Sequence, residues 1–162
     1  MVTKPPADPS AAPPRTRMAA AVLFSDDRGR VLIVEPAAGQ GHWGLPGGAV
    51  GAGESPMDAA LRGTKEALGL RGRPGRLLAV DWMPARDARP EGLTFVYDGG
   101  ALPPEPEAAI RLPAGQWRSW RWCGAADAAE RLSPLLDRRA AAALQAARDG
   151  TTAYLENGYA RP

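Results

Sequence analysis

At 162 residues the chain has the length of one domain, enough to bury a core of ordinary size. Hydrophobic residues make up 44% and charged residues 23%, a soluble globular balance, and no apolar run approaches the roughly 20 residues of a membrane span. A net charge of +2 without a clustered basic footprint argues against nucleic acid as a partner.

Residues 1–15, MVTKPPADPSAAPPR, combine proline repeats with small residues and are expected to form a disordered Pro/Ala-rich tail. The first eleven of them carry one lysine and no long apolar core, unlike a secretory signal. Residues 16–162 are expected to form a single domain. The runs RMAAAVLFSD from Arg17 and RVLIVEP from Arg30, with a polar turn at Asp27 and Gly29 between them, read as a β-hairpin. From Pro36 to Gly53 glycines crowd a stretch with little periodicity, a loop that turns sharply or lies close to something.

Ser55 then offers an N-cap and Pro56 a first helical position. Met57, Ala60, Leu61, Thr64 and Leu68 follow at helical spacing, and Gly69 supplies the stop. Strands are expected over RLLAVDWM (residues 76–83), GLTFVYD (92–98) and WRSWRW (117–122), with an exposed arginine- and proline-rich connection between the first two. Strict alternation in the last strand puts Trp120 and Trp122 on one face and Trp117 on the other. Ser133 caps a second long helix whose apolar stripe is Leu135, Leu136, Ala140, Leu144 and Ala147, and a closing strand falls near Ala153 to Leu155. This order predicts an α+β fold in which helices pack on a mixed sheet. Cys123, the only cysteine, excludes an internal disulfide and suits a reducing cytoplasm; with no histidine near it in sequence, it reads as a buried thiol rather than a nucleophile.

Between Gly48 and Leu70 the residues Gly48, Glu54, Arg62, Glu66, Gly69 and Leu70 stand at the spacing of a Nudix box, preceded by the segment WGLPGG. The pattern fails at Gly63, Thr64 and Ala67, where glutamate, an aliphatic residue and glutamate would stand. The chain therefore resembles the Nudix hydrolase family (MutT-like) with a degenerate box. The resemblance implies an α/β/α sandwich with a mixed β-sheet between helices. It implies metal-binding glutamates at positions 63, 66 and 67, of which only Glu66 remains. It also implies an ion pair of Glu54 with Arg62 that fixes the loop on the helix, a turn at Gly47 and Gly48, and a metal-ligating carbonyl at Gly47.

Cleaving a diphosphate requires water to attack phosphorus while charge builds on oxygens that already repel it, which divalent cations relieve. Magnesium takes hard oxygen ligands, and positions 63, 66 and 67 share one helix face. Loss of two acids there is expected to leave a shallow hollow beside Glu66, and Glu91 or Asp98 on later segments are candidates to complete a metal site. Several residues keep two readings. Glu66 is a metal ligand or base, or a solvent-facing acid; His42, the only histidine, is a catalytic acid or phosphate contact, or an inert loop residue. Trp82 is a ring-stacking platform or a core residue, and Arg86 and Arg89 bind phosphate or are solvated loop charges.

The expected function is hydrolysis of a nucleoside diphosphate linked to another moiety, aided by Mg2+ or Mn2+ and slow for want of two glutamates. The alternatives are a non-hydrolytic protein that binds a nucleotide or other small-molecule diphosphate, and an enzyme repurposed for metal-independent chemistry. No membrane partner is expected, and a homodimer stays open.

Overall fold

The computed structural model describes residues 15–37, 41–102 and 105–161. The tail expected over residues 1–15 lies, apart from Arg15, outside the described residues. The elements in chain order are β1 (Arg17–Phe24), β2 (Val31–Pro36), β3 (Gly47–Ala49), α1 (Pro56–Leu68), β4 (Leu77–Met83), β5 (Gly92–Gly100), α2 (Pro106–Ala109), β6 (Trp117–Cys123), α3 (Ala125–Arg131), α4 (Pro134–Asp149), β7 (Ala153–Glu156) and β8 (Tyr159–Ala160). A six-stranded sheet runs β3-β1-β5-β4-β7-β8, and β2 pairs with β6 in a second sheet. The larger sheet is mixed: β1 lies parallel to β5 and β4 parallel to β7, while the remaining neighbours are antiparallel.

The core has two halves. On one side α1 packs through Ala59, Ala60, Ala67 and Leu68 against Ala20, Val22 and Phe24 of β1 and Leu32 and Val34 of β2. On the other, Ala140 and Ala143 of α4 and Ala128 of α3 meet Leu23, Leu78, Val96 and Leu155. Helices thus cover both faces of the sheet, as the element order predicts, in the α/β/α sandwich that the resemblance implies. None of the described helices is long and apolar enough to cross a membrane.

The first two strands do not form the expected hairpin. A turn held by Asp26 connects them, with the Gly29 amide donating to the Asp26 carbonyl at 3.0 Å, yet Ser25 and Val31 make their only bridge. The reason is the position of β1: β3 flanks it on one edge and β5 on the other, so β2 must pair elsewhere. The tryptophans of β6 also depart from strict alternation. The register with β2 shifts between Glu35 and Pro36, so that Trp122, Trp120 and Trp117 stand opposite Leu32, Val34 and Pro36. This bulge adds one residue to β6 and returns Trp117 to the face of the other two. All three rings pack against the α1 half of the core.

The expected stripe of the last helix packs on the core through Leu136, Ala140, Leu144 and Ala147, but its most deeply buried face lies to one side of it. Arg139, Ala140, Ala143 and Ala146 are its buried residues, because Arg139 Nε donates to Asp81 Oδ2 at 2.8 Å. Asp81 is fully buried in β4, and its other oxygen accepts the Gly158 amide at 3.0 Å, so a single carboxylate ties β4 to α4 and to the β7–β8 turn. The short helices α2 and α3 and the strand β3 carry no sequence signal that the periodicity detects.

Candidate functional site

The helix α1 forms where its signals place it. The Ser55 hydroxyl accepts the Asp58 amide at 3.1 Å, Pro56 occupies the first turn, and Gly69 closes the helix with φ 71° while its amide donates to the Lys65 carbonyl. An N-cap of this kind contributes about 1 kcal/mol, and glycine takes the left-handed conformation without steric cost.

Ahead of the helix, Arg62 gathers the loop. Its Nε donates to Glu54 Oε1 at 2.8 Å, one terminal nitrogen to Glu54 Oε2 at 3.0 Å and to the Ala49 carbonyl at 2.8 Å, and the other to Glu66 Oε2 at 3.1 Å. Glu54 also accepts the Gly51 amide at 2.8 Å. The Arg62 guanidinium first, and the Gly51 amide second, hold the Glu54 carboxyl down at about 2, while the pair raises Arg62 above the usual arginine value. Glu54 and Arg62 therefore form a charged staple between the loop and α1.

The face expected to be a hollow is closed. Ala59, Gly63 and Ala67, four residues apart, make a row of small residues on the buried side of α1, and Ala67 has no exposed surface. A Cβ at Gly63 would lie 2.5 Å from the Gly47 carbonyl carbon, 2.6 Å from its Cα and 2.7 Å from its oxygen. Gly47 in turn has no room for a side chain, because its Cβ would fall on the Ala20 backbone. The two glycines let β3 approach α1 closely; the space that a side chain at position 63 would use is filled by the Gly47 main chain, and position 67 is enclosed in the core. Glu66, the remaining acid, is exposed on the neighbouring face and ion-paired to Arg62.

This donor set does not fit a divalent metal. Positions 63 and 67 offer no oxygen, the Gly47 carbonyl lies against Gly63, and among the described residues no group of three or more His, Cys, Asp and Glu could hold a metal ion. Neither candidate acid repairs this. Asp98 lies toward the far end of β5, where it accepts the Gly100 amide at 2.8 Å. Glu91 stands at the nearer end and accepts the Thr16 hydroxyl at 2.8 Å.

Next to the box is a cleft of about 610 Å3, lined by Gly48 and Ala49 of β3, by Met83 and Thr94 of the sheet, and by Arg17, Arg86 and Arg89. Among the described residues, three exposed arginines and no acid line this cavity. The structure thus brings Arg86 and Arg89 together with Gly48, and adds Arg17, which sequence reasoning missed because it reads as the polar start of a strand. Trp82 and His42 lie outside the lining residues. Trp82 is half-buried in β4, with its carbonyl accepting the Asn157 amide at 2.8 Å. His42 is exposed beside Trp43, whose ring lies under Arg131 with 5.6 Å from the guanidinium carbon to the ring centre. Cys123 is buried, and burial pushes its thiol up, as expected of an unreactive cysteine.

The sequence pattern of the NUDIX domain matches residues 15–145, and the chain belongs to that family. Solved structures agree. A MutT NUDIX hydrolase from Burkholderia pseudomallei is 25% identical with a TM-score of 0.61, over 81% of this chain and 97% of that one. An ADP-ribose pyrophosphatase from Streptococcus suis is 17% identical with a TM-score of 0.64, over 88% and 99%. The NUDIX domain of Shewanella oneidensis NrtR complexed with ADP ribose is 22% identical with a TM-score of 0.59, over 90% and 94%.

Proposed function

We propose that this Nudix domain binds a nucleotide or related metabolite that carries a diphosphate, with Arg17, Arg86 and Arg89 neutralising the phosphates in place of metal ions. The observation that carries this reading is the composition of the cleft beside the box: three arginines, no carboxylate, and a box helix whose acidic positions are closed by glycine and alanine. Arginine presents paired donors that match phosphate oxygens, and needs no cation to bridge them. The Shewanella oneidensis domain of similar fold, complexed with ADP ribose, makes that compound the first to test. The single buried thiol supports a setting in the reducing cytoplasm.

Slow hydrolysis of such a ligand is the second reading, favoured by Glu66, which stays on the helix surface under the Arg62 guanidinium. Calorimetric titration with ADP ribose in EDTA, paired with phosphate-release assays over a panel of nucleotide sugars and dinucleotides in Mg2+ or Mn2+, separates the two. Binding in EDTA that weakens at least tenfold in the Arg86→Glu/Arg89→Glu variant is the expected result, since each charge-assisted bond contributes roughly 1.5–3 kcal/mol. Tight binding only with metal, or metal-stimulated turnover that Glu66→Gln abolishes, would favour the hydrolase.

A further inference from the structure

Two buried donors at the arginine cleft converge on one weak acceptor. Arg139 of α4 is only 8% exposed; its Nε is engaged by Asp81 Oδ2, and a terminal nitrogen lies 2.8 Å from the sulfur of Met83. Thr94 of β5 is 7% exposed, and its hydroxyl donates to the same sulfur across 3.9 Å. A thioether is a poor acceptor, whereas buried guanidinium and hydroxyl groups are nearly always met by better ones. Met83 and Thr94 both line the cleft, so the point where the donors converge lies at its wall.

The strand register explains how the sulfur comes to stand there. Arg17, Gly92 and Met83 are ladder partners on β1, β5 and β4, and two residues along each strand Ala19, Thr94 and Asp81 form a second row. Both rows share the sheet face on which Arg139 of α4 meets Asp81. Gly92 has no side chain, and the Met83 methyl lies over it: a Cβ at Gly92 would come within 3.1 Å of Met83 Cε. Arg17 stands two strand spacings from Met83 in the same row, roughly 10 Å between Cα atoms. Methionine has three rotatable bonds and adapts its shape readily, so this side chain can leave its place without disturbing the sheet.

We propose that Met83 is a movable plug over an oxygen subsite of this cleft: a phosphoryl oxygen of the bound diphosphate displaces the sulfur and accepts from the Arg139 terminal nitrogen and the Thr94 hydroxyl. The inference rests on the diphosphate reading and adds two buried donors to its three exposed arginines. Arg139 keeps its Asp81 bond throughout, so the guanidinium stays anchored while another edge turns to the ligand. An oxygen held there is shielded from water, where a charge-assisted bond is stronger than at the exposed arginines. An apolar ligand group gains nothing from displacing the sulfur, because it accepts from neither donor.

The test titrates the full chain, labelled at its methionine methyls, with ADP ribose and with inorganic pyrophosphate in EDTA, and takes affinities from calorimetry. A saturating shift of the Met83 methyl, with that of Met57 in the α1 half of the core still, is the expected result. Thr94→Val should weaken both ligands about fivefold, and Thr94→Ser should restore them. Met83→Ala, which opens the subsite in advance, should bind both at least threefold more tightly, and Thr94→Val should lose affinity in that background too. A Met83 methyl that does not move at saturation, a Thr94→Val protein with the affinity of its parent, or a Met83→Ala protein that binds no tighter would each overturn the plug. If Arg86→Glu/Arg89→Glu weakens binding while the Thr94 and Met83 variants do not change it, the diphosphate reading stands and this inference alone fails. No binding of either ligand in EDTA removes both.

Discussion

Replacing Gly63 by alanine tests whether the box helix is open or closed toward β3. In a helix with room beside it, Gly→Ala gains about 1 kcal/mol from propensity alone. Here the new methyl would lie 2.5–2.7 Å from three backbone atoms of Gly47, which cannot rotate away as a side chain would. Relief requires β3 to move, and β3 is held by β1 on one side and by the Arg62 bond to Ala49 on the other. Overpacking of this kind costs roughly 1–3 kcal/mol, and the backbone obstacle places Gly63 in the upper part of that range. The net expectation is a loss of about 1–2 kcal/mol, or roughly 2–8 °C in Tm for a domain of this size. Urea and thermal unfolding followed by tryptophan fluorescence and circular dichroism would measure it. A Gly63→Ala protein as stable as its parent, or more so, would show that the Gly47 contact is absent and that a cradle is still open.

The same packing bears on activity. From the sequence, restoring glutamate at positions 63 and 67 should revive hydrolysis if the site is only disarmed. With Gly63 against the Gly47 main chain and Ala67 fully buried, a glutamate at 63 cannot take up its place without displacing β3, and one at 67 would have to enter the core. Gly63→Glu/Ala67→Glu is therefore expected to lower stability and to show no metal-stimulated phosphate release.

Two further predictions concern charge. The Glu54 carboxyl titrates near 2 in the folded protein against an ordinary 4.5, so its contribution to stability is fully present above about pH 4.5 and fades as pH falls toward 2. The stability difference between the parent and Glu54→Gln, read from urea midpoints, should stay constant above that window and shrink through it; a difference that does not change with pH would refute the staple. The buried Asp81–Arg139 pair behaves differently. Asp81→Ala leaves Arg139 without its partner in the core and should cost roughly 3–5 kcal/mol, whereas Asp81→Leu/Arg139→Leu should cost much less, measured by the same unfolding curves. Equal losses would mean that the charge is not what the pair contributes.

Much of this architecture is written in local sequence. The Ser55-Pro56 start and Gly69 stop define α1 because caps act within one turn, and the alternation of β4 and β5 is read from single strands. What escaped depends on contacts distant in sequence. The partners of β1 follow from competition among three strands, the Trp117 face from a bulge, and the most deeply buried face of α4 from an aspartate 58 residues away. At the site, the resemblance to the family pattern pointed to the staple of Glu54 and Arg62. The row Ala59, Gly63 and Ala67 was read through the acids it lacks, and its packing against Gly47 shows only once β3 is in place. Arg17 joins Arg86 and Arg89 only because β1 and β5 run side by side.

The closed helix face and the arginine cleft belong to one electrostatic problem. A bound diphosphate must have its charge neutralised, and a site can do this with acids that hold cations or with cations of its own; both at once would work against each other, because carboxylates near the phosphates repel them when no metal intervenes. Gly63 and Ala67 remove two carboxylates from the box helix, and the remaining Glu66 is already offset by Arg62. Arg17, Arg86 and Arg89 then face the cleft without a competing acid in its lining. Under the proposed function the two changes are complementary, since introducing the acids without removing the arginines would draw the guanidinium groups onto the glutamates and leave neither set free for phosphate. A variant that reverses Arg86 and Arg89 should therefore lose diphosphate binding in EDTA with its fold intact, because both residues are exposed and neither supports the core.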